Sequence, residues 1–317
     1  MSLKTPVAFL IFNRPELTER VFSAIREAKP SKLLVVADGP GKPEHVALCE
    51  KARDVIKVDW DCELLTNFSD VNLGCRRRVS TGISWVFSQA EEAIILEDDC
   101  LPSPLFFGFC EALLDQFRND QRVMHIGGSN VQHGQSRTPF SYYFSRYTHI
   151  WGWASWRRAW RHYDVEMRSW LHNRELIKNS FPDPIEADFW LNKFDKVHAG
   201  EIDTWDFQWV YACWSQSGLA VIPNVNLVSN IGFGPGATHT HEMTSDSCLA
   251  VEDLWEINPP ASVIRHQAAD AYTFDHSFGG IYLKQGARDA ARGSWQIQID
   301  RAKGLAYRTL RKSGLRL

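Results

Sequence analysis

The first 126 residues alternate short apolar runs with segments of helical spacing, and this alternation limits the fold more than any other feature of the sequence. The apolar runs are typical of strands that are buried on both faces. Between them, apolar residues recur every three or four positions, as on one face of a helix. We predict five strands and four helices, with strands at 7–12, 33–37, 63–68, 93–96 and 123–126 and helices at 15–28, 43–56, 76–88 and 103–117.

Strands and helices that alternate in this way favour right-handed crossovers and a mostly parallel central sheet flanked by helices, a Rossmann-like α/β fold. Asn13 is expected to cap the first helix, because Pro15 and Glu16 follow it in the usual order. Polar residues follow three of the strands. Since ligands bind at the carboxyl edge of open parallel sheets, we expect these polar groups to meet at one place.

After about residue 130 the pattern changes. We expect short strands at 142–144 and 219–222, an aromatic-rich helix at 152–163, helices at 185–198 and 205–217, and a Gly-rich loop at 230–241. No Pro/Ser linker separates the two halves. We therefore predict one continuous unit with an α/β lobe at 1–130, a second lobe at 131–283 and a basic C-terminal segment at 284–317.

The composition excludes several classes of protein. Apolar residues make up 44% of the 317 residues and charged residues 23%, which excludes a disordered or collagen-like chain. The net charge of −3 gives no argument for nucleic-acid binding. The seven cysteines form no C-x-x-C pair, and the apolar run at 7–12 is too short for a signal peptide. No run is long enough for a membrane span. The cysteine pattern suggests neither a disulfide framework nor a zinc site and favours a reducing compartment, so we expect a cytoplasmic protein.

The most informative stretch is the buried strand that ends in Glu97, Asp98 and Asp99. Three adjacent carboxylates repel one another unless a cation is present. Oxygen ligands of this kind suit Mg²⁺ or Mn²⁺, which usually take one or two carboxylates and complete their coordination with substrate phosphates. The alternative is a solvated acidic turn, and the position at the end of an inner strand favours the metal.

The order of these motifs resembles that of GT-A-fold glycosyltransferases, in which a short acidic "DXD" motif holds a divalent metal on a nucleotide-sugar diphosphate. The acidic motif, followed by Pro102 and by Phe106 and Phe107, is similar to that of N-acetylglucosaminyltransferase I. It also resembles bacterial family-2-like transferases of surface-polysaccharide loci. The resemblance covers residues 5 to about 240. It implies a nucleotide-sugar-binding lobe at 1–130 and an acceptor-binding, catalytic lobe at 131–283.

The resemblance also implies roles for individual residues. Asp99 would be the metal ligand, with Asp98 and Glu97 at the ribose or at metal-bound water. The other residues implied to bind the nucleotide are Asn13 and Arg14 at the base, Asp38 at the base or ribose, and Asn72, Gly74 and Arg76 in the Asn-x-Gly loop and the helix that follows. A helix N-terminus with Arg76–Arg78 there would favour a diphosphate; a solvated helix face is the alternative.

Inverting sugar transfer needs a carboxylate that removes the proton of the acceptor hydroxyl. Asp206 is the best candidate, because it begins an apolar helix and is flanked by aromatic residues, as in the family's Trp-Asp segment. It could instead be a helix N-cap, and Asp203 is its competitor.

Nine of the thirteen tryptophans lie between Trp151 and Trp214. We expect Trp151 and Trp153 to contact the sugar and Trp156 and Trp160 to lie in the core. By resemblance, His239 in the Gly-rich loop would be a further metal ligand or diphosphate contact, with His241 second.

The segment 284–317 holds nine Lys/Arg against two Asp/Glu, with apolar residues at roughly helical spacing. Such a helix could bind a membrane surface peripherally, which would suit an acceptor carried on a lipid. A charged surface helix is the alternative.

Together these features predict a metal-dependent, inverting glycosyltransferase that uses a nucleotide-diphosphate sugar, with UDP favoured, and a glycan or lipid-linked acceptor in polysaccharide synthesis. One alternative is a sugar-phosphate nucleotidyltransferase, although no glycine follows the first strand. The other is a non-catalytic carbohydrate-binding protein that uses the tryptophans and does not need the acidic cluster.

Overall fold

The computed structural model describes residues 2–233, 246, 248–252, 254 and 256–293. The strands of these residues are β1 Val7–Ile11, β2 Lys32–Ala37, β3 Glu63–Phe68, β4 Glu92–Glu97, β5 Cys100–Pro102, β6 Val123–Gly127, β7 Tyr142–Ser145, β8 Trp153–Trp156, β9 Leu219–Pro223 and β10 Val228–Asn230. The helices are α1 Pro15–Ala28, α2 Val46–Asp54 after a 3₁₀ turn at Pro43–His45, α3 Gly74–Gln89, α4 Pro104–Phe117, α5 Arg157–Trp160, α6 Trp170–Asn179, α7 Pro184–His198, α8 Asp206–Ser215 and α9 Gln267–Ser277. Residues 280–293 are also helical.

In the described part of the chain, eight strands form one sheet in the order β3-β2-β1-β4-β8-β6-β9-β7, and β5 pairs with β10 in a separate antiparallel ribbon. Strands β1 to β4 are parallel, as are β6 and β9, whereas β8 and β7 run antiparallel to their neighbours. The predicted α/β fold with a mostly parallel central sheet is therefore confirmed. One sheet includes strands from both halves of the chain.

Strands β1, β2 and β4 are buried on both faces, which explains why they are nearly continuous apolar runs, whereas the edge strand β3 is partly exposed. Ala8 and Leu10 of β1 pack into one core with α3 and the tryptophan-rich helices. Val7, Phe9 and Ile11 point to the opposite face and pack into a second core with α1 and α4. This three-layer arrangement leaves the carboxyl edge of the parallel strands open for a ligand.

Two local predictions are wrong. The segment 152–163 is not one helix, because Trp153–Trp156 forms the central strand β8 and only Arg157–Trp160 is helical. The N-cap of α1 is Arg14 and not Asn13, and no side chain caps this helix. Pro15 still occupies the first helical position, where its missing N–H costs nothing.

No helix in the described ranges combines the length and the apolar composition that crossing a bilayer requires. The helical residues 280–293 are largely exposed. Lys284 joins them to the rest of the protein by ion pairs with Asp183 and Asp275, at 3.2 and 2.6 Å.

Candidate active site

A cavity of about 710 Å³ opens at the carboxyl edge of β1, β2 and β4. Its walls come from the loops after these strands, from the start of α3 and α8, and from the residues that follow β10. The polar residues that line it are Arg14, Asp38, Lys42, His45, Asn72, Arg78, Glu97, Asp98, Asp99, Asp203, Thr204, Asp206 and Asn230. The structure therefore brings the acidic cluster and Asp206 to the same cavity from opposite halves of the chain.

The acidic cluster is tied to the loop after β1. The Arg14 guanidinium bridges two carboxylates: Nη2 donates to Asp98 Oδ1, and Nη1 donates to Asp99 Oδ2 at 2.9 Å. The second Asp98 oxygen accepts the Phe12 N–H at 3.2 Å. Both oxygens of the buried Asp98 therefore have partners within the protein.

The cluster is electrostatically crowded. Burial raises the pKa of Glu97, and the carboxylates of Asp99 and Asp98 raise it further. Burial also raises the pKa of Asp98, an effect that Arg14 opposes. Burial alone would lower the pKa of Arg14, but the two aspartates outweigh it and raise that pKa overall. The site thus favours additional positive charge, whether from a proton or from a cation.

The described residues contain no group of three or more His, Cys, Asp or Glu side chains arranged as a metal cage. Asp99 remains a suitable single ligand, because its side chain lies on the cavity wall and is only partly buried. Mg²⁺ and Mn²⁺ accept one or two protein carboxylates when phosphate oxygens and water complete the shell. The donor set fits such a metal, with Asp99 as the one protein carboxylate that binds it.

The β5–β10 ribbon holds the beginning of the Gly-rich loop against the acidic cluster. Cys100 pairs with Asn230, and the next N–H, that of Ile231, donates to the Asp99 carbonyl at 2.8 Å. Gly232 lies so close that a Cβ there would be 2.3 Å from Asp99 Oδ2. Only glycine fits at this position without moving the Asp99 carboxylate.

Asp38 organises the loop that precedes α3. Its carboxylate accepts hydrogen bonds from the N–H groups of Gly39, Leu73 and Gly74 at 2.9 to 3.3 Å. Asn72 Nδ2 donates to the same carboxylate and to the Gly39 carbonyl. Although Asp38 lies on the cavity wall, its lone pairs are committed to this loop.

Two predicted nucleotide contacts do not line the cavity. Arg76 turns away from it, and its Nη2 donates to the Val165 carbonyl at 2.9 Å and contacts Glu166. Asn13 is also absent from the cavity wall. Arg78 does reach the wall, but its guanidinium is bound to the ends of β2 and β3 at Ala37 and Asn67.

Asp206 is the first residue of α8 and lines the same cavity as the acidic cluster. Its Oδ1 accepts the Phe207 N–H at 2.9 Å and the hydroxyl of Thr204. Within the described part of the chain, Oδ2 has no hydrogen-bond donor, so that oxygen can accept a proton. Asp203 also lines the cavity, but it is exposed and makes no side-chain hydrogen bond with any described residue.

The two tryptophans expected to contact the sugar have different surroundings. Trp151 lines the cavity and packs edge-on against Phe233, with ring centroids 5.8 Å apart. Trp153 is fully buried, stacked between His125 and Trp205. The expected sugar contact by Trp153 is therefore wrong: β8 is a central strand, and its side chains point into the two cores.

Trp156 and Trp160 are buried, as predicted. His239 and His241 lie outside the described residues, and so does most of the basic segment 284–317, beyond residue 293.

The sequence did not point to several residues of the cavity wall. Phe12 and His45 pack edge-on there, with ring centroids 5.6 Å apart, and Lys42 lies beside them. Phe12 could have been placed, since it directly follows β1. Nothing in the sequence distinguishes Lys42 and His45 from ordinary surface residues.

No known protein-family profile matches the chain. No curated protein sequence matches it significantly. The mannosyltransferase PcManGT from Pyrobaculum calidifontis, solved in complex with GDP-Man and Mn²⁺, is similar in structure, with a TM-score of 0.39 and 12% identity over 67% of this chain and 70% of that chain. A similarity of this size does not bear on function, which has to be argued from the site itself.

Proposed function

We propose that this protein is a metal-dependent glycosyltransferase that moves a sugar from a nucleotide-diphosphate sugar to a hydroxyl acceptor with inversion. The observation that carries the proposal is the shared cavity, which is lined both by the acidic cluster and by Asp206. A carboxylate site for a metal and a separate carboxylate base are the two elements that inverting transfer requires.

The nucleotide would lie along the part of the cavity formed by Phe12, Asn72 and Gly74, with Glu97 at the ribose. In this arrangement Asp38 positions the Asn72–Gly74 loop through its hydrogen bonds and does not contact the base directly. Trp151 offers an indole face for the apolar surface of a sugar.

The reaction step falls to Asp206. As the acceptor oxygen attacks the anomeric carbon, Oδ2 takes the hydroxyl proton, and the bond from that carbon to the diphosphate oxygen breaks. The bonds of Thr204 and Phe207 to Oδ1 hold the carboxylate in one orientation. A metal held by Asp99 would supply positive charge to the leaving diphosphate.

The finer assignments rest on the resemblance of the sequence motifs. We propose UDP as the nucleotide, Mn²⁺ or Mg²⁺ as the metal, and a glycan or lipid-linked acceptor in polysaccharide synthesis. A basic C-terminal segment suits peripheral contact with the inner face of a membrane from the cytoplasm.

The test is calorimetric titration of the purified protein with UDP, with and without Mn²⁺. We expect binding that requires Mn²⁺ and is lost in Asp99→Ala. Asp115→Ala is the matched control, because Asp115 lies exposed on α4 and pairs only with Arg118 among the described residues.

If UDP does not bind, the same titration is repeated with GDP, dTDP and CMP. Failure of all these nucleotides would overturn the proposal and favour the carbohydrate-binding alternative. Release of pyrophosphate from UTP and a sugar phosphate would instead favour a nucleotidyltransferase.

A further inference from the structure

Arg14 occupies the position next to the acidic cluster where a cation is required. Its two terminal nitrogens bind one oxygen each of Asp98 and Asp99. Within the described ranges, no other arginine or lysine forms an ion pair with this cluster. Arg14 thus neutralises part of a charge that would otherwise force the carboxylates apart.

The two halves of this bridge differ. Asp98 is buried, with 3% of its side chain exposed, and its second oxygen is held by the Phe12 N–H. Asp99 has 16% of its side chain exposed and lines the cavity, where it could reach a ligand. The bond to Asp99 is therefore the one that can open without leaving a buried charge unpaired.

We propose that Arg14 is a built-in counter-ion that competes with the divalent metal for Asp99 and is released toward the diphosphate when metal and nucleotide bind together. This inference rests on the proposed function and adds to it a binding order. The sequence resemblance had placed Arg14 at the nucleobase, and the ion pairs assign it to the acidic cluster.

The competition follows from the atoms involved. Asp99 Oδ2 accepts Arg14 Nη1 at 2.9 Å, so a metal that uses this oxygen has to displace a charge-assisted hydrogen bond. Metal alone should bind weakly for this reason. A diphosphate changes the balance, because its oxygens offer the freed nitrogen a new anionic partner while Arg14 stays attached to Asp98.

Metal and nucleotide binding should therefore be strongly cooperative. By linkage, the factor by which UDP tightens Mn²⁺ binding equals the factor by which Mn²⁺ tightens UDP binding. If Arg14 no longer competes for Asp99, the metal alone should bind more tightly, and the factor that couples UDP binding to Mn²⁺ binding should become smaller.

The test is direct Mn²⁺ titration without nucleotide, read from the electron paramagnetic resonance signal of free Mn²⁺. The variant is Arg14→Lys, which keeps the positive charge but replaces the rigid guanidinium fork, whose two terminal nitrogens each hold one carboxylate, with a single ammonium on a shorter side chain. We expect Mn²⁺ to bind about tenfold more tightly than to the wild type, the factor that a hydrogen bond to a charged group is worth. Thermal unfolding checks that the variant is folded.

Lys42→Met is the control for a general electrostatic effect, because Lys42 lines the same cavity and forms no ion pair with a described residue. We expect it to change the Mn²⁺ affinity less than Arg14→Lys does. Repeating the titrations with UDP should show a smaller coupling factor in Arg14→Lys than in the wild type.

Unchanged or weaker Mn²⁺ binding in a folded Arg14→Lys variant would overturn the inference, as would an equal effect of Lys42→Met. These outcomes are separable from failure of the proposed function, since the first titration contains no nucleotide. If no nucleotide binds but Arg14→Lys still tightens Mn²⁺ binding, the competition stands and the transferase proposal fails.

Discussion

The backbone N–H of Ile231 donates a 2.8 Å hydrogen bond to the carbonyl oxygen of Asp99. This bond continues the β5–β10 pairing by one residue and places Gly232 against the Asp99 carboxylate. The acidic cluster and the start of the Gly-rich loop are therefore one local unit, although they lie far apart in the sequence.

Gly232→Ala should move the Asp99 carboxylate, because the new Cβ would lie 2.3 Å from Oδ2. We expect Mn²⁺-dependent UDP binding to weaken about tenfold or more, which is the effect of losing a hydrogen bond to a charged group. Calorimetry measures the change in UDP affinity. Gly108→Ala is the control: its Cβ meets nothing within 4 Å on the exposed side of α4. That change should raise thermal stability slightly and leave binding intact, and equal binding by both variants would contradict the prediction.

Asp206→Asn should lower the turnover number by roughly 10²- to 10⁴-fold, the usual contribution of a general base. Mn²⁺-dependent UDP binding should persist, because the Asp206 side chain bonds to Thr204 and Phe207 and makes no hydrogen bond with the acidic cluster. Steady-state transfer assays together with calorimetry separate the two effects. Asp203→Asn is the matched variant in the same cavity and should retain most of the activity. If Asp203→Asn lost more activity than Asp206→Asn, the base would be Asp203 instead.

Asp38→Ala should loosen the Asn72–Gly74 loop, since it removes the acceptor of several backbone N–H groups. We expect a loss of about 1–3 kcal/mol in the free energy of unfolding and weaker UDP binding. Chemical denaturation measures the free energy of unfolding, and calorimetry measures the UDP affinity. Asp70→Asn, at an exposed position before the same loop, is the control. Weaker binding without any loss of stability would indicate that Asp38 contacts the nucleotide directly.

His125 should make stability pH-dependent. It is fully buried, its Nδ1 accepts from Trp209 Nε1, and burial lowers its pKa from 6.5 to about 3. The unfolded chain therefore binds the proton first as the pH falls, so the free energy of unfolding decreases between pH 6.5 and about 3. This residue alone contributes roughly 1.4 kcal/mol per pH unit in that window.

Urea unfolding at several pH values measures this slope in the wild type and in His125→Gln, which should show a shallower one. The comparison cancels the titration of other groups. His172→Gln, on the exposed surface of α6, should keep the wild-type slope. An unchanged slope in His125→Gln would contradict the assignment.

The sequence was sufficient to predict the parallel half of the sheet, because its buried strands are continuous apolar runs between well-marked helices. It was also sufficient to place Asp38 and Asp99 at one sheet edge, since Asp38 directly follows β2 and Asp99 lies two residues after the end of β4. The register of the strands, and the pairing of strands that lie far apart in the chain, could not be predicted from the sequence. The ribbon of β5 and β10 depends on such pairing.

The wrong assignment of residues 152–163 has a specific cause. Trp153, Trp156 and Trp160 recur at three- and four-residue spacing, which imitates one face of a helix. In the structure Trp153 and Trp156 point to opposite faces of β8, and both faces are buried, so no polar alternation reveals the strand.

Long charged side chains were the least predictable. Arg14 and Arg76 were both predicted to contact the nucleotide, yet one binds the acidic cluster and the other the Val165 carbonyl. Such side chains can reach partners several ångströms away, and those partners come from distant parts of the chain.

The antiparallel strand β8, which lies between β4 and β6, also has a consequence for synthesis of the chain. Until residues 153–156 have left the ribosome, a nascent chain can pair β4 only with β1, and the other edge of an apolar strand stays unpaired. Exposed edges of this kind recruit other chains. A fragment that stops at residue 130 should therefore aggregate, because translation has to continue through β8 before the strand bearing the acidic cluster is covered on both sides.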